Sequence, residues 1–283
     1  MASRAASDLK EPMVVTAVRC LASCWDLILR SCDRVQIKEI ETYEARFDEG
    51  REDHKACRPG GSVEELADAI VNGGSGYRTR PTHATYCVEG SLVRAEDFVL
   101  KPKFKAHEKA VLHTETCMLA AFVMKNSYEH IMKKYDPKAK LHERFLIPRP
   151  KLAYSYEKSF CDGHVVLILT TGDGNEYAID ASYPQYGYNE HFLVVEWEMY
   201  LEECVVREKD YYGLRLTSNT EAHMQESIKE YTVELVLEKE LHKAVKEGLE
   251  KAPNSLDPND LQPIFEECVR KAIKEAKSTF PRN

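Results

Sequence analysis

Cys117, His164 and Asp180 follow one another along the chain in the order thiol, imidazole, carboxylate. A thiol attacks a carbonyl carbon as its thiolate, and an imidazole can take the thiol proton and later hand it to a leaving group. A carboxylate behind the imidazole holds one tautomer and favours the charged ring. These types together can form and break an acyl-thioester, provided the fold brings them to one place.

The elements that would do so are legible around them. His164 opens the run Val165 to Leu169, which is apolar on both strand faces and therefore reads as a buried strand. Gly172-Asp-Gly-Asn175 is a turn signal, since these residues tolerate positive φ, and the chain returns through Glu176 to Ile179 to reach Asp180. A hairpin would place His164 and Asp180 at the same end of its two arms. Cys117 heads a stretch with helical spacing, Leu119, Phe122, Val123, Asn126 and Ile131, with Thr114 or Thr116 placed to cap it. A thiol in the first turn lies at the positive end of the helix dipole, which favours the thiolate, and the backbone N–H groups there can hold an oxyanion.

With Cys at a helix start, His opening a strand and Asp closing the next strand in Ala178-Ile-Asp-Ala-Ser182, the chain resembles the transglutaminase-like superfamily of papain-like cysteine enzymes. The resemblance covers residues 110–190. It implies an α+β fold in which the helix carrying the nucleophile packs on an antiparallel sheet, and a Cys-His-Asp triad made of Cys117, His164 and Asp180. Thr116-Cys117-Met118 stands where many transglutaminases have Gly-x-Cys-Trp. The residue order is also similar to that of arylamine N-acetyltransferases, without their Gly-Gly-x-Cys signature.

Composition narrows the remaining classes. A net charge of −8 disfavours nucleic acid as the main partner, because phosphate-binding surfaces need a basic excess. No run of 18 apolar residues appears, so no membrane span is expected. The apolar stretch Met13 to Leu29 is broken by Arg19 and Asp26 and does not read as a secretory leader. A cytoplasmic protein with reduced cysteines is expected. Cys20, Cys24 and Cys32 match no zinc-ligand spacing and read as helix-core residues, and no metal or cofactor is expected.

Residues 1–11 read as a loose tail, 12–217 as a transglutaminase-like core with N-terminal helices, and 218–283 as a C-terminal helical hairpin packed on it. Pro12 can open a helix whose stripe runs from Val14 to Cys32. Gln36 to Phe47 suits strand or helix, Asp48 to Gly61 a loop, and Ser62 to Val71 a short capped helix. Ser75 to His83 is a loop in which Arg78 and Arg80 are candidates for an anionic substrate group. Lysine-rich Lys101 to Lys109 reads as a loop, Arg144 to Pro150 as a connector, and Leu152, Tyr154 and Tyr156 as a strand pairing with the hairpin. Tyr183 and Tyr186 either wall a substrate pocket or pack the sheet end. His113 and Glu115 flank the thiol, either contacting substrate or shaping the anion site, or as surface or capping residues. Cys161 reads as a bystander or redox partner, and Asp162 and Asp173 as loop residues that serve the turn chemistry. Helices are predicted over Thr220 to Ala252 and Asp260 to Lys277, as core cover, lid or dimer surface.

The expected function is cysteine-dependent acyl transfer or amide hydrolysis on a small molecule or peptide, with an amine or water as acceptor. The alternative is a catalytically silent binding or scaffold module of the same fold.

Overall fold

The computed structural model of this chain describes residues 11–32, 34–44, 83–93, 98, 108–113, 116–146, 152–156, 159–160, 164–205, 232–252 and 258–279. Helix α1 spans Met13–Ser23 and begins after Pro12, whose fixed φ suits a helix entry. It buries Val14, Val15, Val18 and Leu21. The predicted stripe continues through Cys24 into a short α2, Trp25–Leu29, which buries Trp25, Ile28 and Leu29. Strands β1, Arg34–Glu44, and β2, His83–Val93, follow. Helix α3, Glu108–His113, begins inside the stretch expected as a lysine-rich loop.

Helix α4, Cys117–Tyr135, is the element on which the nucleophile was expected, and its end matches the predicted one near Lys133 to Pro137. Its buried side carries Cys117, Ala120, Ala121, Val123, Met124, Tyr128 and Ile131. Those spacings of three and four residues make one face. Strand β3, Lys140–Leu146, leads to β4, Leu152–Tyr156, and the two-residue β5, Ser159–Phe160. Next come β6, His164–Thr170, and β7, Glu176–Ile179. Two 3₁₀ turns, Tyr183–Tyr186 and Glu190–Phe192, precede β8, Val194–Glu196, and α5, Trp197–Cys204. Helices α6, Thr232–Lys251, and α7, Pro258–Thr279, close the described chain.

The fold is α+β. One four-stranded sheet has the order β3-β6-β7-β8 and is antiparallel throughout. A second has the order β1-β2-β4-β5, with β2 and β4 parallel. Strand β6 lies inside the first sheet and has Val165 to Leu169 buried on both faces, as its sequence required. Helix α4 packs on β6, α1 lies against α4, α6 runs along α4, and α7 packs on α6 and α1.

The strand expected beside the hairpin does not lie there. Leu152–Tyr156 is a strand, but it pairs with β2 and β5 in the other sheet. The place next to β6 is taken by β3, from Leu146 opposite His164 to Lys140 opposite Thr170. The connector predicted from Arg144 thus overlaps a strand. Lys140-Leu-His-Glu-Arg-Phe-Leu146 carries no apolar run, and all but Leu146 remain exposed or half-buried, so the pattern that marks buried strands is missing.

The hairpin turn forms where predicted. Thr171 N–H donates to Asn175 O at 2.8 Å, and Gly174 has φ of 91°, a left-handed conformation that glycine adopts without strain. Asp173 serves the turn, accepting from Thr171 Oγ1 and, at 2.9 Å, from Asn175 Nδ2. Gly172 N–H donates to Asp136 Oδ2 at 2.6 Å, which ties the turn to the residue ending α4. A Cβ at Gly172 would lie 2.6 Å from Asp136 Oδ1, so the approach requires glycine.

Candidate active site

Cys117 is the first residue of α4, and Thr116 occupies its N-cap. The expected side-chain cap is absent: Thr116 Oγ1 instead donates to His113 O at 2.8 Å. The first N–H of α4 satisfied from within is that of Ala120, donating to Thr116 O at 2.8 Å. The N–H groups of the preceding turn have no partner inside the helix, which is the general condition of a helix start. Cys117 is 9% exposed, His164 is fully buried and Asp180 is 2% exposed.

The hairpin register brings the other two residues together. Leu167 pairs with Ile179, so the chain leaving β7 runs past the start of β6. His164 Nε2 lies 2.8 Å from Asp180 Oδ2. That contact makes Nε2 the protonated nitrogen of the neutral ring and leaves Nδ1 as its proton-accepting nitrogen, while hydrogen bonding and charge from His164 act on the Cys117 thiol. The thiol sulfur also accepts from the Val165 backbone N–H.

Each charge in this group has a cause. Burial pushes the Cys117 thiol up, but the hydrogen bond and charge of His164, with the Val165 N–H, outweigh it and hold the thiol below its ordinary value. Burial pushes His164 down; the Asp180 charge and hydrogen bond, aided by Cys117, reverse this and raise the imidazole to about 10. Both shifts favour a thiolate–imidazolium pair.

Asp180 is itself fully engaged. Its Oδ1 accepts from Ser182 N–H and Ser182 Oγ, each at 3.0 Å, and its Oδ2 accepts from Tyr200 Oη at 2.8 Å as well as from His164. Four donors around one carboxylate compensate the loss of water. Gln185 Nε2 lies 3.1 Å from His164 Nδ1, and the Tyr186 ring meets the imidazole edge-on with centroids 4.8 Å apart.

Ser182, Gln185 and Tyr200 were not anticipated. Ser182 had a local signal, since Asp followed by Ser two residues later can close a side-chain turn onto its N–H. Gln185 lay in a stretch in which tyrosines drew attention. Tyr200 had no local signal, because α5 delivers it twenty residues after Asp180.

The remaining expected site residues divide. Tyr186 touches His164, whereas Tyr183 faces the His113 ring at 6.4 Å between centroids. His113 is buried with Nε2 2.6 Å from Asp26 Oδ1, so it is a core histidine with a carboxylate partner and not a surface residue. Arg78, Arg80, Thr114, Glu115, Cys161 and Asp162 lie outside the described residues. Cys24 and Cys32 are buried in the core, and Cys24 Sγ donates to Cys20 O at 3.4 Å. Among the described residues, no group of three or more His, Cys, Asp or Glu is placed to hold a metal ion, and no helix is long and apolar enough to cross a membrane.

A cavity of about 10 Å³ adjoins Cys117 between α4 and the sheet, with Ala120, Ala121, Val165 and Leu167 in its walls. That is room for about one water, so the inner side of the thiol is packed. Comparison with protein-family models, with curated proteins and with solved structures finds no match to this chain.

Proposed function

We propose that this chain is a cysteine-dependent acyl-transfer or amide-hydrolysing enzyme with a transglutaminase-like core. The observation that carries the reading is the chain of contacts from Cys117 through His164 to Asp180, closed by a 2.8 Å hydrogen bond and buried throughout. A buried charged pair is costly to assemble, and cores of purely structural purpose are better served by apolar residues. Perturbed titratable groups in this arrangement are the mark of a nucleophile and its base.

In this reading the Cys117 proton resides on His164 Nδ1, and the thiolate attacks the carbonyl carbon of an amide, ester or thioester. The carbon–sulfur bond forms as the carbonyl electrons move to oxygen, where N–H groups at the start of α4 receive the charge. His164 then protonates the leaving group as the carbonyl reforms. An amine or water, deprotonated by His164, releases the acyl group and restores the thiolate. A small molecule or peptide is the substrate class in this reading.

The decisive experiment is intact mass spectrometry after incubation with a panel of amides, esters and thioesters. A covalent adduct on the parent chain that disappears in Cys117→Ala and His164→Ala is expected. Adduct formation or turnover that survives Cys117→Ala would overturn the nucleophile role, leaving a binding or scaffold module of the same fold.

A further inference from the structure

His164 Nδ1 has a second neighbour besides the thiol. Gln185 Nε2 lies 3.1 Å from it and 3.4 Å from Ser182 Oγ. The other end of the same carboxamide, Oε1, is buried and has no hydrogen-bond partner among the described residues, and the residue is 1% exposed. Gln185 sits in the 3₁₀ turn that follows Asp180, so one short piece of backbone fixes both the carboxylate on Nε2 and the amide on Nδ1.

An amide N–H can face a ring nitrogen that bears a lone pair, but it cannot face a ring N–H. When the Cys117 proton moves to Nδ1, the observed contact would set donor against donor. Turning the amide about its last side-chain bond brings the orphaned oxygen to Nδ1–H. A buried carbonyl without a partner is unfavourable, and this movement satisfies it. The titratable groups that face His164 are Cys117 from α4 and Asp180 after β7, with Tyr200 of α5 bonded to Asp180. Asp180 is committed to Nε2, so at Nδ1 the proton meets the Cys117 sulfur and this carboxamide.

We propose that Gln185 is a positioning residue whose carboxamide turns over with the proton on His164 Nδ1, donating to the neutral ring and accepting from the charged one. The proposal rests on reading Cys117 and His164 as a proton-sharing pair. It adds that the imidazolium is held by an oxygen on each ring nitrogen, Asp180 on Nε2 and Gln185 on Nδ1.

The test follows the His164 ring nitrogens by ¹⁵N NMR against pH in a Cys117→Ala background, where no thiol contributes. Gln185→Leu removes the accepting oxygen and should lower the pH at which the ring loses its proton by about one unit, a tenfold loss of proton affinity. An unchanged midpoint would show that the amide does not follow the proton. A raised midpoint would show an amide fixed with its N–H toward the ring. Either result overturns the proposal. If Gln185→Leu does not fold, the side-chain amide resonances of Gln185 in the Cys117→Ala chain decide. They should shift with the same midpoint as the His164 ring, and pH-independent resonances overturn the proposal. Alkylation of Cys117 in the parent chain is measured separately. An inert Cys117 beside a coupled His164 and Gln185 would remove the enzymatic reading and leave the amide movement standing.

Discussion

At the scale of single residues, Cys117 and His164 act on each other's proton, and their pH dependence is a joint property. The thiol is held below its ordinary value of 9.0 and the imidazole is raised from 6.5 to about 10, so a thiolate beside an imidazolium spans the interval between the two. The rate of Cys117 alkylation by iodoacetamide should therefore reach its plateau at lower pH than that of an ordinary thiol, which shows only a few per cent of thiolate at pH 7. A rate profile that rises only around pH 9 would contradict this. Asp180→Asn should keep the geometry but destabilise the imidazolium and the productive tautomer, lowering turnover by about 10²–10⁴-fold. Tyr200→Phe leaves Asp180 with His164 and Ser182 as donors, and a milder loss, roughly tenfold, is expected in the same assay.

At the scale of elements, the hairpin carries the site at one end and its turn at the other. The turn is anchored to the end of α4 by Asp136, whose Oδ2 accepts from Gly172 N–H and whose Oδ1 accepts from Lys138 N–H at 3.2 Å. Gly172→Ala places a methyl group 2.6 Å from Asp136 Oδ1 and 3.0 Å from Lys138 Cβ, so the anchor must move. A stability loss of about 1–3 kcal/mol is expected from thermal or denaturant unfolding. The alkylation profile of Cys117 should not change, because His164 lies a full strand length from the turn. Loss of thiol reactivity in the folded variant would show that the anchor also sets the register of the site.

At the scale of the whole molecule, α6, backed by α7, holds the helix that carries the thiol. Lys134 Nζ on α4 donates to Leu249 O at 2.5 Å at the C-terminal end of α6, a favourable place for a cation. Asn126 Nδ2 donates to Glu238 Oε1 at 2.6 Å two turns earlier on α4. Lys134→Met should destabilise the fold by about 1 kcal/mol, read as a lower Tm, with alkylation of the folded protein unaffected. The site also gives global stability a pH signature. The raised His164 contributes stability that is full below 6.5 and lost as the pH rises through about 10. The lowered Cys117 contributes stability that is full above 9.0 and lost as the pH falls through its folded value. Where the interval from the folded value of Cys117 to 9.0 overlaps the interval from 6.5 to about 10, the two slopes oppose and cancel, so denaturant unfolding should show a plateau ending near 9.0, with stability falling above it. In Cys117→Ala the compensating slope is gone, and stability should decline across that interval as the pH rises.

The sequence by itself determined the elements whose signal is local. The apolar run after His164 could only be a buried strand, the Gly-Asp-Gly-Asn turn could only return it, and the spacing after Cys117 made a helix with the thiol in its first turn. Because a hairpin aligns its ends by construction, the meeting of His164 with Asp180 was legible as well. What depends on partners distant in the chain was not. Strand β3 has too little apolar character to announce itself, and its place beside β6 is decided by backbone pairing available only in the folded sheet. Tyr200 reaches Asp180 because α5 packs behind β7, and His113 is a core residue because α2 supplies Asp26. A side chain's chemistry can be read from its type, but its hydrogen-bond partner is set by packing, and packing is a property of the whole chain.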